Sequence, residues 1–547
     1  MDQVYTPIAD SLGWSTLVAA LPILVLLLMI GILRKPAWIS ALTGLAVGAV
    51  VAIGVYGMPV VTAVSATSLG SAFGLFPIGW IVFWAVVLYR LTVETGQFEI
   101  IKDSIGGLTT DRRLQAMLIA FALGAFIEGA AGFGTPVAVA AAMLTGLGFS
   151  PFYAAGICLL ANTAPVAFGS IGIPVTTLAE VTGLDENTLS TWVGRFCAPV
   201  SVFIPAYLVM VMGGFKALKG VLPAAIVCGV CFAGMQLYMS SNFGPQLVDI
   251  VAALAAIIGL VILFKFWQPS DEFHMEGEST AVVEIRKHGF GPVVTAWSPY
   301  LLLVFFVLLW GSGILNDNLF KLAQEDIVNL IGVPWPGLDQ VVTRMPPAVE
   351  VAGPYAATYN INWLSAAGSA CALATFFGWL VLRFSASPEF TIGKYFVLLG
   401  SVAKQLAFSL LTIAAVVGLA FLMNYSGATV TLGLAFAETG RVFPFFSAIL
   451  GWLGVFLTGS DTSANALFGN LQVVTANQLG LDPNVMASSN SAGGVMGKMI
   501  SLQSLAVAVA ATGMARSQEG DLFRFTFKHS VFLACVLGGL AMIYAYI

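Results

Sequence analysis

The chain has 547 residues, of which 59% are hydrophobic and only 9% are charged, and its mean hydropathy is +0.94. Soluble globular domains carry about 25% charged residues, so this chain has too few charged side chains to cover a surface in water. The composition excludes a soluble globular protein and indicates an integral membrane protein that lies in a lipid bilayer. The net charge of −5 identifies no partner, and binding to nucleic acid is not expected.

Apolar segments long enough to cross a bilayer as helices, about 20 residues each, recur from one end of the chain to the other. Clear examples are Thr16–Leu33, Val221–Met239, Leu247–Phe266, Thr295–Trp310 and Trp363–Leu382. They predict an all-α polytopic membrane protein with about 12–14 transmembrane segments. The first segment is followed by Arg34 and Lys35 without a small-residue cleavage site, so we expect a retained helix rather than a signal peptide.

The distribution of basic residues predicts the orientation in the membrane. Basic residues follow the first and third apolar segments, lie in and beside the polar segment Gln268–Gly291 and precede the last helix. They are Arg34, Lys35, Arg90, Lys102, Arg112, Arg113, Lys265, Arg286, Lys287, Arg516, Arg524 and Lys528. These segments are predicted to be cytoplasmic. The long loop Asn316–Asn362 carries only Lys321 and Arg344 and is predicted to lie outside. Both termini are then predicted to be periplasmic.

The six cysteines lie within or beside apolar segments. They are interpreted as small hydrophobic residues, so neither a metal site nor a redox site is predicted. The sequence also lacks a phosphate-binding glycine-rich motif, and no cofactor is expected. Without a nucleotide site, any transport by this chain has to be driven by a gradient.

Two stretches of the chain match each other when the sequence is aligned with itself. GAFIEG at Gly124–Gly129 corresponds to GVFLTG at Gly454–Gly459, and both follow an arginine and an apolar stretch. Hydrophobic pieces too short to span a membrane occur at corresponding places in both halves. This pairing is typical of secondary transporters built from two structural repeats, whose site lies at broken helices or re-entrant hairpins.

The expected organisation is therefore an N-terminal transmembrane repeat at 1–267, a cytoplasmic linker at 268–292 and a C-terminal transmembrane repeat at 293–547. The breaks that form the site are predicted near 124–136 and 162–174 in the first repeat and near 457–470 and 488–504 in the second.

Glycines and a carboxylate occur together in the first break, GAFIEGAAGFGTP, which contains Glu128. Backbone that leaves a helix inside the bilayer must line a watered cavity or be buried in protein, and glycine permits the sharp turn. A carboxylate at that depth costs roughly 2.5–3.5 kcal/mol on insertion scales. Glu128 is therefore expected to face a cavity, and Asp461 in LTGSDTSANALFGN has the matching place in the second half. The alternative is that these carboxylates are structural and pair with Lys498 or Arg195.

Five motifs stand out at and near these breaks. They are IEGAAGFGTPVA (Ile127–Ala138), ANTAPVAFGSIGIP (Ala161–Pro174), NYSG (Asn424–Gly427), GWLGVFLTGSDTSANALF (Gly451–Phe468) and GGVMGKMIS (Gly493–Ser501). Together they closely resemble the L-lactate permeases of bacteria. The resemblance extends over essentially the whole chain. It implies uptake of L-lactate across the inner membrane by proton symport, with D-lactate and glycolate as further expected substrates.

The chemistry of a 2-hydroxy acid and this resemblance together suggest roles for the residues at the breaks. Glu128 and Asp461 are the candidates for proton coupling, and Lys498 is a candidate for holding the substrate carboxylate or for acting as a counter-ion. Helix N-termini and small polar side chains would bind the monocarboxylate. The substrate-binding candidates are Gly129, Gly132, Gly134, Asn162, Thr163, Ser460, Thr462, Ser463, Asn465 and Lys498.

Other classes of function use similar breaks. A sodium-coupled organic-anion symporter would coordinate Na⁺ with backbone carbonyls and with Asn or Ser oxygens, and a passive channel would also tolerate a polar midplane. An enzyme is not predicted, because the sequence presents no metal-ligand cluster and no nucleophile beside a base. The oligomeric state is not predicted.

Overall fold

The computed structural model describes all residues except 32, 34, 133, 272, 274–285, 287, 312–329, 350, 362, 365 and 516–517. The predicted orientation signals Arg34, Lys287, Lys321 and Arg516 lie outside the described residues, as does much of the predicted loops at 268–292 and 316–362. Most of the described chain is helical, which confirms the predicted all-α class.

The helices are numbered here in chain order. Those before the long loop are α1 Leu12–Gly31, α2 Ala37–Gly54, α3 Val60–Phe73, α4 Trp80–Glu94, α5 Gln97–Gly106, α6 Arg112–Gln115, α7 Gly124–Ala130, α8 Thr135–Gly146, α9 Pro151–Ala161, α10 Gly169–Thr182, α11 Glu186–Asn242, α12 Val248–Phe264 and α13 Phe290–Gly311. Those after it are α14 Ala367–Ser385, α15 Ile392–Ser426, α16 Ala428–Ala437, α17 Phe443–Thr458, α18 Asp461–Leu479, α19 Pro483–Lys498, α20 Leu502–Thr512 and α21 Glu519–Tyr546.

The long loop contributes four short strands in two antiparallel pairs. β1 Leu330–Pro334 pairs with β4 Thr358–Ile361, and β2 Thr343–Arg344 pairs with β3 Gly353–Pro354. The sequence did not predict these strands. They belong to a small cap that also receives the N-terminus of the chain, since the Met1 amino group donates to the carbonyl of Val341 at 2.8 Å.

The part of the chain that the structure describes has 11 helices long and apolar enough to cross a membrane, or 12 when the bent pair α9 and α10 is counted as one span. The 57-residue helix α11 is a hairpin with non-helical backbone at Gly213, Gly214 and Val221. Gly194 of its first arm packs against Ser240 of its second arm. The predicted count of about 12–14 transmembrane segments thus compares with 11 to 12 candidate helices in the described part of the chain.

The two ends of the bundle differ in their polar contacts. At one end, called the N-terminal face, Gln3 Nε2 donates to the carbonyl of Asn424 at 2.8 Å and the Tyr5 hydroxyl donates to the carbonyl of Met345 at 3.0 Å. At the other end, called the Arg113 face, the fully buried Arg113 guanidinium contacts Asp111 at 2.7 Å and Asp271 at 2.8 Å. The hydrogen bond from Arg113 lowers the pKa of Asp271.

Two helical hairpins enter the bundle from opposite faces. The continuous helix Arg112–Ala130 runs inward from the Arg113 face and α8 returns to it, because Arg112 donates to the carbonyl of Leu147. The second hairpin consists of α17 and α18, which pack together at Gly454 and Ala464. It belongs to the N-terminal face, where Gln478 Nε2 donates to the carbonyl of Pro347 at 2.6 Å.

Helices α17 and α19 approach each other backbone to backbone. A Cβ atom on Gly493 would lie 2.0 Å from the carbonyl oxygen of Ala448, and one on Gly451 would lie 1.8 Å from that of Asn490. Small residues at such an interface permit the close van der Waals contact that drives helix association in a membrane. These glycines therefore set the distance between the second hairpin and the helix that carries Lys498.

Replacing Gly493 with alanine should destabilise the protein, because the added methyl group meets backbone rather than a flexible side chain. Overpacking of this kind typically costs about 1–3 kcal/mol. We expect Gly493→Ala to lower the thermal unfolding temperature of the detergent-purified protein by several degrees. The matched control is Gly539→Ala in α21, where nothing lies within 4 Å of the added atom. Equal unfolding temperatures for the two variants would contradict this account of the α17–α19 interface.

Candidate functional site

The tips of the two hairpins and two further helix breaks meet at one cavity of about 150 Å³. The interruptions lie at 131–132 and 134, between α9 and α10, at 459–460 and at 499–501. The cavity is lined by Glu128, Ser170, the segment Thr458–Ser463, Lys498 and Gln503, together with apolar residues and the α15 hydroxyl residues Ser409 and Thr412. Irregular backbone inside the bundle therefore lines a cavity, as the physics of a membrane interior requires.

Lys498 ends α19 at the cavity and is 7% exposed. Its ammonium group donates to the carbonyl of Gly459 at 2.5 Å. It lies within electrostatic range of both Glu128 and Asp461, yet among the described residues it forms no ion pair within 4.0 Å. An ammonium held by a carbonyl but not neutralised by a carboxylate is available to an anionic ligand.

Asp461 begins α18 and belongs to a buried network of polar side chains. Ser491 Oγ donates to Asp461 Oδ2 at 2.7 Å, and Asn465 Nδ2 approaches the same oxygen at 3.5 Å. Asn465 Nδ2 also donates to the carbonyl of Pro174 at 3.0 Å, while its Oδ1 accepts from Asn490 Nδ2 at 3.0 Å. This network fixes the start of α18 against α10 and α19.

The first turn of α18 presents backbone N–H groups to the cavity. Gly459 has a left-handed backbone with φ +73°, which turns the chain sharply after α17. Ser460 then caps the new helix, and its Oγ accepts from the backbone N–H of Ser463 at 3.2 Å. The remaining unpaired N–H groups of a helix start carry a partial positive charge. The start of α18 is therefore suited to bind an anion such as a carboxylate.

Glu128 faces the cavity from the tip of the first hairpin and is 4% exposed. A Cβ atom on Gly169 would lie 2.6 Å from Glu128 Oε1, so this glycine leaves room for the carboxylate. Asn162 lies beside Glu128. Among the described residues, Glu128 Oε2 has no hydrogen-bond partner. Asp461 Oδ1 also lacks a partner there, but Asp461 Oδ2 accepts from Ser491 at 2.7 Å.

The backbone opposite Glu128 adopts an uncommon conformation. Ser170, Ile171 and Gly172 have φ values of 50°, 61° and 75°, so one left-handed turn precedes the regular part of α10. A positive φ is strained for a β-branched residue such as Ile171. The turn is held in place because Ser170 Oγ donates to the carbonyl of Ala131 at 3.1 Å. It joins the tip of the first hairpin to the start of α10.

Half of the predicted site residues line the cavity directly, and the other half support it. Glu128, Ser460, Asp461, Thr462, Ser463 and Lys498 belong to the lining. The others are not among the lining residues: they are Gly129, Gly132, Gly134, Asn162, Thr163 and Asn465.

The supporting residues have identifiable structural roles. Gly132 and Gly134 have left-handed backbone, with φ +57° and +81°, at the turn between α7 and α8. The hydroxyl of Thr163 donates to the carbonyl of Leu160 at 2.7 Å and is therefore engaged within its own helix turn. Gly129 packs against α12, where a Cβ atom would lie 2.8 Å from the Cβ of Asp249.

Sequence analysis did not identify several residues at or near the site. Ser409 and Thr412 lie in the apolar part of α15 that follows Lys404, and Gln503 follows the last break. Asp249, behind Gly129, is 1% exposed and was also missed. A lone acidic residue in the apolar segment 247–266 was an available signal, since ionisable residues inside a membrane mark functional sites by default.

A metal site is not present in the part of the chain that the structure describes, because no three His, Cys, Asp or Glu side chains come together. The site thus combines helix N-terminal N–H groups, hydroxyl groups, one ammonium and two carboxylates. Such a set can hold a small anion that also carries a hydroxyl group.

Comparison with known proteins identifies the family of this chain. The family model described as L-lactate permease matches residues 15–547. This chain belongs to the L-lactate permease family. It is 45% identical over 554 aligned residues to the L-lactate permease of Bacillus subtilis (strain 168), with 97% of this chain and 96% of that protein covered. It is 43% identical to the L-lactate permease of Escherichia coli (strain K12), with 100% and 98% covered.

A relative that is named for another substrate, glycolate, is also similar to this chain over its whole length. The glycolate permease GlcA of Escherichia coli (strain K12) is 41% identical over 557 residues, with 100% of this chain and 98% of that protein covered. The present permease is thus a multi-pass membrane protein of this family, as the resemblance of its motifs predicts.

The described cavity predicts which positions of α18 a water-soluble reagent can reach. Thr462 lines the cavity, whereas Ala464, two residues later, is fully buried against Gly454 of α17. In full-length protein, we expect Thr462→Cys to react with a small hydrophilic thiol reagent at least ten times faster than the matched control Ala464→Cys. Mass spectrometry of the modified peptide measures each rate separately from the native cysteines. Equal rates would show that the cavity is not located as described.

Proposed function

We propose that this protein takes up L-lactate, and also D-lactate and glycolate, across the bacterial inner membrane by proton symport, with both termini in the periplasm. The observation that carries the proposal is the un-neutralised ammonium of Lys498 beside the first turn of α18, facing Glu128 across one small cavity. The names of its relatives support the substrate class, since they are L-lactate permeases and a glycolate permease.

The substrate carboxylate would bind between Lys498 and the N–H groups at the start of α18. A hydrogen bond to a charged group contributes about 1.5–3 kcal/mol, and a helix N-terminus adds to the attraction. The hydroxyl group on the neighbouring carbon would be held by the side chains of Ser460, Thr462 and Ser463. Lactate and glycolate share this carboxylate and hydroxyl, so the same site accommodates both.

Glu128 is the residue we propose to exchange the transported proton. Asp461 accepts hydrogen bonds from Ser491 and Asn465, and such bonds favour the ionised form of a carboxylate over the protonated form. Glu128 Oε2 has no such support among the described residues. When a substrate anion enters the same cavity, its charge repels an ionised Glu128. Protonation of Glu128 removes the repulsion.

This arrangement couples the two ligands thermodynamically. Because protonation of Glu128 favours substrate binding, substrate binding favours protonation by the same factor. One proton carried with one monoanion moves no net charge. Accumulation would then be driven by the pH difference together with the substrate gradient, and the membrane potential would not contribute.

Exchanging the proton-coupling candidates for amides tests this mechanism. In proteoliposomes with an imposed inward proton gradient, we expect Glu128→Gln to lose accumulation of radiolabelled L-lactate while lactate–lactate counterflow survives, because exchange needs no net proton movement. Asp461→Asn should impair both activities, since it disturbs the network that holds α18.

Each assay is repeated with and without sodium. A requirement for sodium at fixed pH would favour a sodium-coupled symporter and would overturn the proton mechanism. Normal pH-driven accumulation by both variants would assign the two carboxylates to the scaffold.

Removing the ammonium group tests the proposed binding of the substrate carboxylate. We expect Lys498→Gln to weaken the apparent affinity for L-lactate about 10- to 100-fold, which corresponds to the loss of one charge-assisted hydrogen bond. Initial rates of counterflow over a range of lactate concentrations measure the change. The matched control is Lys404→Gln, an exposed lysine on α15, which should leave the affinity unchanged. An unaltered affinity in Lys498→Gln would remove this lysine from the binding site.

A further inference from the structure

A third carboxylate lies directly behind the site. Asp249 is in the first turn of α12, is 1% exposed, and neither of its carboxylate oxygens has a hydrogen-bond partner among the described residues. A buried ionised carboxylate without a partner is costly, whereas a neutral carboxylic acid is tolerated at much lower cost. Asp249 therefore makes no structural hydrogen bond in the described part of the chain that would account for its burial.

The tip of the first hairpin brings Asp249 close to Glu128. Gly129, the residue next to Glu128, packs on Asp249 so closely that a Cβ atom there would lie 2.8 Å from the Cβ of Asp249. The titratable groups that face Asp249 are the carboxyl of Glu128 on α7 and the thiol of Cys197 on α11. Asp249 does not line the cavity, so it contacts the site from behind the hairpin tip.

Polar residues also lie between Asp249 and the N-terminal face, and none of them is hydrogen-bonded to the Asp249 carboxylate in the described part of the chain. Gln246, which precedes the start of α12 by two residues, donates from Nε2 to Glu186 Oε1 at 3.2 Å. Thr176 Oγ1 also donates to Glu186 Oε1, at 2.5 Å. Glu186 is half-buried in the first turn of α11, next to the end of α10. At that end of α10 the carbonyl of Val181 accepts from Asn424 Nδ2 at 3.4 Å, and Asn424 belongs to the N-terminal face.

The cavity itself extends towards the opposite end of the bundle, the Arg113 face. Its lining includes Ala37, the first residue of α2. Helix α1 begins near the N-terminal cap and ends on the opposite side of the bundle, so Ala37 belongs to the Arg113 face. Glu128 thus has the cavity on one side and Asp249 on the other.

We propose that Asp249 is a second proton-binding residue, which receives protons from the N-terminal face by way of Glu186 and passes them to Glu128. The inference rests on the proton symport proposed above and adds the route by which the proton reaches the site. In the transfer step the O–H bond of neutral Asp249 breaks and an O–H bond forms on the Glu128 carboxylate. Asp249 is left ionised until it takes up the next proton from the side of Glu186.

The experiment compares Asp249→Asn with native protein in proteoliposomes. Asparagine keeps the shape of the side chain but cannot release a carboxylic proton. We expect pH-driven accumulation of L-lactate, and the accompanying acidification reported by a trapped pH dye, to fall at least tenfold. Lactate–lactate counterflow should stay within about twofold of native, because exchange needs no net proton movement. A factor of two is a small free-energy change on the scale of binding.

Two further variants complete the design. Asp185→Asn is the matched control, because Asp185 is an acidic residue at the same end of α11 whose capping of Thr188 an asparagine can replace, and it should behave as native. Glu186→Gln keeps a side-chain oxygen that can accept from Gln246 and Thr176, and it should slow accumulation several-fold with counterflow intact.

Normal accumulation in Asp249→Asn would overturn the inference while leaving the proposed function in place. Loss of counterflow together with accumulation would also overturn it, provided that the variant is folded, because Asp249 would then serve substrate binding. If Asp249→Asn does not fold, Glu186→Gln decides, and native accumulation in that variant rejects the route. Absence of pH-driven accumulation in the native protein would instead reject the proposed function, and the inference with it.

Discussion

Backbone that leaves a helix inside a membrane has to satisfy its N–H and C=O groups without lipid, and the centre of this protein is organised by that constraint. The interruptions are not scattered but meet at one place, where each is satisfied by its neighbours. Ser170 donates to the carbonyl of Ala131, and Lys498 donates to the carbonyl of Gly459. The hydroxyl of Thr458 accepts from the N–H of Ser460 at 3.2 Å. Breaking the helices together therefore creates a cavity and supplies the polar groups around it.

The charge carried by these groups follows from the same arrangement. Lys498 is held by a backbone carbonyl, which fixes its position without neutralising it. Asp461 is held by Ser491, which stabilises its negative charge. Glu128 and Asp249 are buried without comparable donors in the described part of the chain. A small anion that binds at Lys498 changes the electrostatic balance most strongly for the carboxyl groups that are least supported, and this makes coupling to protons physically reasonable.

Sequence reasoning located the breaks because glycine, proline and polar residues inside an apolar segment have few explanations in a membrane protein. Glu128, Asp461 and Lys498 were identified on the same grounds, and all three line the cavity. The division of the chain into two repeats stays a prediction. The two hairpins do enter from opposite faces, as inverted repeats would require.

The sequence could not separate residues that face the cavity from residues that pack behind it. Gly129 and Asn465 lie in the predicted breaks, but one contacts α12 and the other holds Asp461 and the carbonyl of Pro174. Ser409 and Thr412 were not predicted, because a hydroxyl group within an apolar helical segment usually donates to a backbone carbonyl of the same helix. That is true of Thr412 Oγ1, which donates to the carbonyl of Phe408 at 2.8 Å. Only the packing of α15 against the hairpin tips brings these side chains to the cavity.

The positions of the cavity and of Asp249 bear on how a symporter of this architecture has to move. The cavity extends to Ala37 on the Arg113 face, whereas Asp249 and Glu186 lie on the side of the N-terminal face. If the proton arrives from one face while the substrate site communicates with the other, a second conformation has to present the site to the N-terminal face.

The structural elements available for that change are the hairpin α17–α18 and the breaks beside it, because the left-handed residues Gly459 and Gly134 already supply the sharp turns. The tight backbone contact of α17 with α19 at Gly451 and Gly493 means that these two helices would move as one unit and carry Lys498 with them.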